Sequence, residues 1–133
     1  MPELPSSHVF PTAEAASKAL AAEIGELVST RAAGGQPAVL GLATGSTPIR
    51  LYAELVQLHR DGLSFANVTT FNLDEYLGLD RAHNESYWHF MHTHLFDHID
   101  VPSGNINIPD GTIADADLEN YCAEYEKSII QAG

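Results

Sequence analysis

The sequence predicts an α/β domain in which a short parallel sheet is flanked by helices. Three observations carry this. Apolar runs at 38–43 and 65–73 alternate with stretches whose apolar residues recur every three to four positions, the order expected of parallel strands joined by crossover helices. The first run, Ala38-Val39-Leu40-Gly41-Leu42-Ala43, is continuously apolar, the pattern of a strand covered on both faces. Each run also passes directly into a polar segment, Thr44-Gly45-Ser46-Thr47-Pro48 after the first and Asn72-Leu73-Asp74-Glu75-Tyr76 after the second. In a parallel sheet both segments leave the carboxyl edge together.

Along the chain, Ser7 to Phe10 reads as a short first strand. Pro11-Thr12 opens a helix with Ala16, Leu20, Ile24 and Leu27 at helical spacing, and Gly34-Gly35 ends it. After the 38–43 strand, Pro48 fits the first position of a second helix with Thr47 as its cap; Ile49, Tyr52, Leu55, Val56 and His59 share one face, and Gly62 stops it. The next strand, Phe65 to Leu73, centres on the β-branched and aromatic Val68-Thr69-Thr70-Phe71. Asn84-Glu85-Ser86 starts a helix carrying Tyr87, Phe90, Met91 and Leu95, which Pro102-Ser103-Gly104 breaks. Asn105 to Pro109 is a brief extended piece, and Asp115 or Asp117 caps a last helix built on Leu118, Tyr121, Cys122, Tyr125 and Ile129. About three strands result, fewer than the roughly five or six of an ordinary sheet, so the sheet is expected to be unfinished and to carry an open edge.

At 133 residues and 44% hydrophobic content, one compact domain spanning 1–133 is expected. Eighteen acidic residues against six basic ones give a formal charge of −12, which opposes nucleic acid and anionic membrane surfaces as partners. A small anion remains compatible, because a helix amino terminus supplies local positive potential whatever the net charge. One cysteine, Cys122, excludes an internal disulfide, and the start Met1-Pro2-Glu3-Leu4-Pro5 lacks the basic and apolar regions of a secretory signal; a cytoplasmic setting is expected.

The segment Thr44 to Thr47 suits a phosphate monoester: Gly45 lets the backbone approach closely, three hydroxyls are at hand, and the following helix start offers unpaired amides. It reads equally as an ordinary strand-to-helix turn in which Ser46 or Thr47 caps the helix. No Gly-Lys-Ser/Thr follows, so nucleotide binding is not indicated. Of Asp74 and Glu75, one carboxylate is expected to face the crevice and the other to point elsewhere. A carboxylate beside a bound sugar phosphate can remove a proton next to a carbonyl and return it to the adjacent carbon, as aldose–ketose conversion requires. The same acidic pair also reads as solvated loop surface.

Leu40 through Pro48, Phe71 through Leu79, Glu85-Ser86-Tyr87 through His92, Phe96-Asp97-His98-Ile99-Asp100-Val101-Pro102 and Asn105 through Ile108 together resemble the amino-terminal half of the glucosamine-6-phosphate deaminases. Their wider relatives, the 6-phosphogluconolactonases, usually carry Asp-Glu-Arg where this chain has Asp74-Glu75-Tyr76, which favours the deaminase branch. The resemblance implies an incomplete three-layer Rossmann-like domain. It implies Asp74 as the base that carries a proton between C2 and C1 of an amino-sugar phosphate, giving fructose 6-phosphate and ammonia. It also implies Thr44, Gly45, Ser46 and Thr47 as the phosphate-side loop, and no metal or organic cofactor. Tyr76 and Ser86 match positions near the site.

In the resembling family a glycine-rich strand and loop with an Asp, a His and a Glu follow the helix that closes here at Ala132-Gly133, and later basic residues hold the phosphate. The chain therefore resembles about half an enzyme, with little turnover expected alone and a sugar phosphate as its small-molecule partner. A homo-oligomer or a separate carboxy-terminal half is expected to complete it. Arg50, near the loop in sequence, is expected to face solvent. Five of the seven histidines, His83, His89, His92, His94 and His98, crowd into one stretch, and the 94/98 spacing would set two on one helical face; structural or solvated roles are favoured over zinc. Cys122 is expected in the core rather than as a nucleophile.

Overall fold

The computed structural model describes residues 3–133. Four helices and three strands follow one another: α1 (Ala13–Ala33), β1 (Ala38–Leu42), α2 (Ile49–Arg60), β2 (Val68–Asn72), α3 (Tyr87–His94), β3 (Ile106–Asn107) and α4 (Leu118–Ala132). The sheet is parallel with order β1-β2-β3. Ala38 pairs with Val68 and Leu42 with Asn72, while Thr70 and Phe71 pair with Ile106 and Asn107. The predicted first strand is absent. Ser7 to Phe10 has no strand structure: it pairs with neither outer strand of the sheet, and Val9 is 96% exposed.

Alternation along the strands divides the sheet into two unequal faces. Ala38, Leu42 and Val68 enter one core cluster with Ala21 and Val28 of α1, Tyr52, Leu55 and Val56 of α2, and Met91 of α3. Phe71 lies on the opposite face, edge-on to Tyr125 of α4 with ring centroids 6.0 Å apart. Its registered partner on β1, Gly41, is exposed, and a methyl group there would meet nothing within 4 Å. The expectation that β1 is covered on both faces is thus corrected: α4 screens the β2 side, and the second face of β1 is open.

Helix α1 begins at Thr12, whose hydroxyl accepts the Ala15 amide at 3.0 Å. Its buried face is Ala21, Gly25 and Val28 rather than the Leu20–Leu27 stripe, since Leu20 and Leu27 are both exposed. Small residues win this face because α2 lies so close that a methyl at Gly25 would sit 3.2 Å from Leu58 Cδ1. Ser86 caps α3 as expected, accepting the His89 amide at 3.0 Å. Helix α3 ends at His94 and a 3₁₀ turn follows at Phe96–His98, so His94 and His98 do not share a helical face. Among the described residues, no helix is long and apolar enough to cross a membrane.

Candidate functional site

Because Leu42 and Asn72 are paired across the sheet, the two polar segments emerge side by side from its carboxyl edge. Three contacts hold that rim. The fully buried Asn72 donates from Nδ2 to the Leu42 carbonyl at 3.4 Å, stitching the strand ends together. Tyr52 of α2 donates its hydroxyl proton to the Ala43 carbonyl, fixing the exit of β1. The Tyr125 hydroxyl lies 2.6 Å from the Asn72 carbonyl and 3.0 Å from that of Asn107, sharing its one proton between β2 and β3. Burial pushes the Tyr52 hydroxyl up to about 12 and also raises that of Tyr125.

The sign of the Tyr52 shift sets an alkaline limit. A tyrosine near 10 when unfolded and near 12 when folded contributes its full stabilisation below pH 10 and loses it as pH rises toward 12. Unfolding monitored against pH is expected to show a loss of stability in that window, and Tyr52→Phe is expected to make it smaller, the remainder coming from Tyr125. An identical alkaline profile in the variant would contradict this role.

Thr44 is half-buried, whereas Gly45, Ser46 and Thr47 are exposed. Gly45 adopts φ +98°, a conformation that side-chain-bearing residues rarely hold. Pro48 already has helical dihedrals, and no side chain caps α2. The loop therefore leaves the opening amides of α2 without a side-chain partner, so the ordinary capping role for Ser46 or Thr47 is not the one adopted. Arg50 is exposed, as expected.

Asp74 is exposed on a cavity of about 330 Å³ that it shares with Asp110 and with Tyr121, Cys122 and Tyr125 of α4. Gly45 instead lines a groove of about 410 Å³ on the α3 side, with Tyr76, Ser86, Tyr87 and His89. Glu75 borders the first hollow and Tyr76 the second, so the backbone between them is the divide. The two segments share one rim but open into separate hollows. Cys122 is exposed on the Asp74 cavity, not in the core as expected, because α4 buries none of its residues fully.

Glu75 has a role that sequence reasoning missed. Its carboxylate accepts the amides of Tyr87 at 2.8 Å and Trp88 at 3.0 Å, the first two residues of α3, and its own neighbour Tyr76 at 2.9 Å. Glu75 and Ser86 together satisfy the opening amides of α3, and the negative charge sits at the positive end of the helix dipole. A second missed residue is Gly111, whose carbonyl accepts the Gly78 amide at 2.7 Å. The Pro109-Asp110-Gly111 run marks a turn, but nothing local says that it packs under the Asp74 loop. The histidines make local contacts: His92 bonds the Trp88 carbonyl at 2.8 Å and stacks on its indole, and His98 bonds the Thr93 carbonyl at 2.9 Å.

Residues 11–133 match the family described as glucosamine-6-phosphate isomerases/6-phosphogluconolactonase. The chain belongs to this family. A glucosamine-6-phosphate deaminase of Yersinia pseudotuberculosis is 50% identical over 99 residues, which are 74% of this chain and 36% of that protein. Among solved structures, a monomeric glucosamine-6-phosphate deaminase superposes with a TM-score of 0.82 at 39% identity, covering 90% of this chain and 48% of that one. The 6-phosphogluconolactonase of Trypanosoma brucei, at 21% identity and a TM-score of 0.73, shares the fold over 96% of this chain and 51% of its own. The three-stranded parallel sheet flanked by helices is thus a portion of the glucosamine-6-phosphate isomerase/6-phosphogluconolactonase fold. This chain spans between about a third and a half of the length of these family members.

Proposed function

We propose that this chain is the sugar-phosphate-holding portion of a glucosamine-6-phosphate deaminase, corresponding to the amino-terminal half of its site. The observation that carries the proposal is the Leu42–Asn72 pairing, which brings a glycine-containing loop at a helix start and the carboxylate of Asp74 to one sheet edge. The deaminase branch is favoured over lactone hydrolysis by the 50% and 39% identities to deaminases, against 21% to the trypanosomal lactonase.

In this proposal, the amides at the start of α2 and the hydroxyls of Thr44, Ser46 and Thr47 hold the phosphate, Gly45 admitting it to the backbone. Asp74 takes the proton from C2 of the ring-opened amino sugar and delivers it to C1, and water then hydrolyses the resulting C2 imine, its oxygen becoming the ketone of fructose 6-phosphate as ammonia leaves. The proton transfer uses a carboxylate alone and requires no metal or organic cofactor. Ring opening and full phosphate neutralisation fall to groups beyond these residues, supplied by a carboxy-terminal half or an associated copy. A noncatalytic sugar-phosphate-binding module is the second reading, favoured by the opening of the Gly45 loop and of Asp74 into separate hollows.

The phosphate loop is tested at Gly45. A methyl at φ +98° meets no neighbouring atom, so Gly45→Ala changes the backbone preference without a clash. At roughly 1–2 kcal/mol of strain, calorimetric affinity for glucosamine 6-phosphate is expected to fall about tenfold, with unphosphorylated glucosamine binding weakly to both proteins. Equal affinity of the two proteins for the phosphate ester would reject the loop as its holder.

A further inference from the structure

We infer that Glu75 is a positioning residue for Asp74, turning that carboxylate toward the α4-side cavity by anchoring its neighbour to the amino terminus of α3. The inference rests on Asp74 being the proton-transfer group proposed above. Asp74 and Glu75 are joined by one planar peptide unit, so holding Glu75 restricts the backbone torsions that aim its neighbour. Glu75 is held firmly: both carboxylate oxygens are engaged, one by the Tyr76 and Tyr87 amides and the other by the Trp88 amide. The bond to Tyr76 closes onto the residue's own backbone, and the bonds to Tyr87 and Trp88 reach twelve and thirteen residues along the chain to a helix seated in the core through Met91. Asp74 itself is exposed, and its surroundings are held through other residues: Asn72 and Tyr125 at the strand end before it, Glu75 directly after it, and the Gly78–Gly111 bond further along the loop.

A glutamate that merely capped α3 would be interchangeable in kind with Ser86, the helix's other cap. The two roles therefore separate in a pair of variants of the whole chain, Glu75→Gln and Ser86→Ala, each of which removes part of the α3 cap. Amide relaxation is measured at Asp74 and along α3. In Glu75→Gln the Asp74 order parameter is expected to drop from about 0.85 to below about 0.6 while α3 keeps its helical shifts; in Ser86→Ala it is expected to stay near the wild-type value. Glu75→Asp, which keeps the charge but is one methylene shorter, is expected to fall between. An Asp74 as ordered in Glu75→Gln as in the wild type, or equally loosened by Ser86→Ala, would overturn the inference. Titration with glucosamine 6-phosphate then tests the site separately: an Asp74 that is ordered through Glu75 yet unmoved by the ligand would refute its assignment as the base and leave the anchoring intact.

Discussion

Asp74→Asn is expected to lower deamination kcat by ~10²–10⁴-fold, with KM changed by less than about threefold, in a fusion where this chain replaces the matching segment of the Yersinia pseudotuberculosis deaminase. Asparagine keeps the size and hydrogen-bonding reach of the carboxylate but cannot accept and return a proton. The loss is therefore expected to fall on the chemical step rather than on substrate capture, which the proposed function assigns to the loop at Thr44–Thr47. A fusion is the suitable setting because the 99 matched residues amount to 36% of that relative, so the fusion has the length of a full deaminase. A variant within a few-fold of the parent fusion in kcat would remove Asp74 from the chemistry. Normal kcat with a raised KM would make it a binding group instead.

Gly111→Ala is expected to destabilise the chain by about 2–4 kcal/mol, lowering the thermal midpoint by roughly 10 °C. A methyl at this position would lie 2.2 Å from the Tyr76 carbonyl oxygen and 2.8 Å from that of Leu79, with Glu75 Cγ at 3.3 Å. The first two are backbone atoms that cannot rotate away, so the 76–79 loop has to move, and the 2.7 Å bond from the Gly78 amide goes with it. Since Asp74 and Glu75 directly precede that loop and Glu75 Cγ is itself among the atoms met, the damage is expected to extend to the site: amide shifts of 74–79 should change more than those of the distant α1. Urea unfolding within about 0.5 kcal/mol of the wild type would show that the turn yields and does not brace the loop.

The parts of this molecule that local chemistry determines were legible in the sequence. β1 and β2 follow from unbroken apolar or β-branched runs, Ser86 from its place ahead of a helical stripe, and the shared rim from two strands of the same direction. Long-range geometry hid the rest. The buried face of α1 runs through Gly25 because α2 approaches too closely for leucine, a fact about the partner helix and not about α1. Ser7 to Phe10 has strand-like residues, but a strand exists only where its backbone is paired, and the folded chain sets this segment against neither edge of the sheet. Asp74 and Glu75 look alike in sequence; what separates them is a helix start twelve residues later that claims one carboxylate and leaves the other at the cavity. Gly111 carries an ordinary turn signature, and only the folded chain brings it under Tyr76.

The division of the rim into two hollows sharpens what a ligand has to do. A hexosamine phosphate held by its ester at Gly45 has to reach past the 74–76 backbone to meet the carboxylate on the α4 side. Residue-resolved titration of the isotopically labelled chain with glucosamine 6-phosphate tests this most directly. The amides of Gly45, Ser46, Thr47 and Asp74 should shift along a single saturation curve, whereas inorganic phosphate should move only the first three. Shifts confined to one segment, or two curves with different midpoints, would mean that one sugar phosphate does not span both, and the shared site would be refuted.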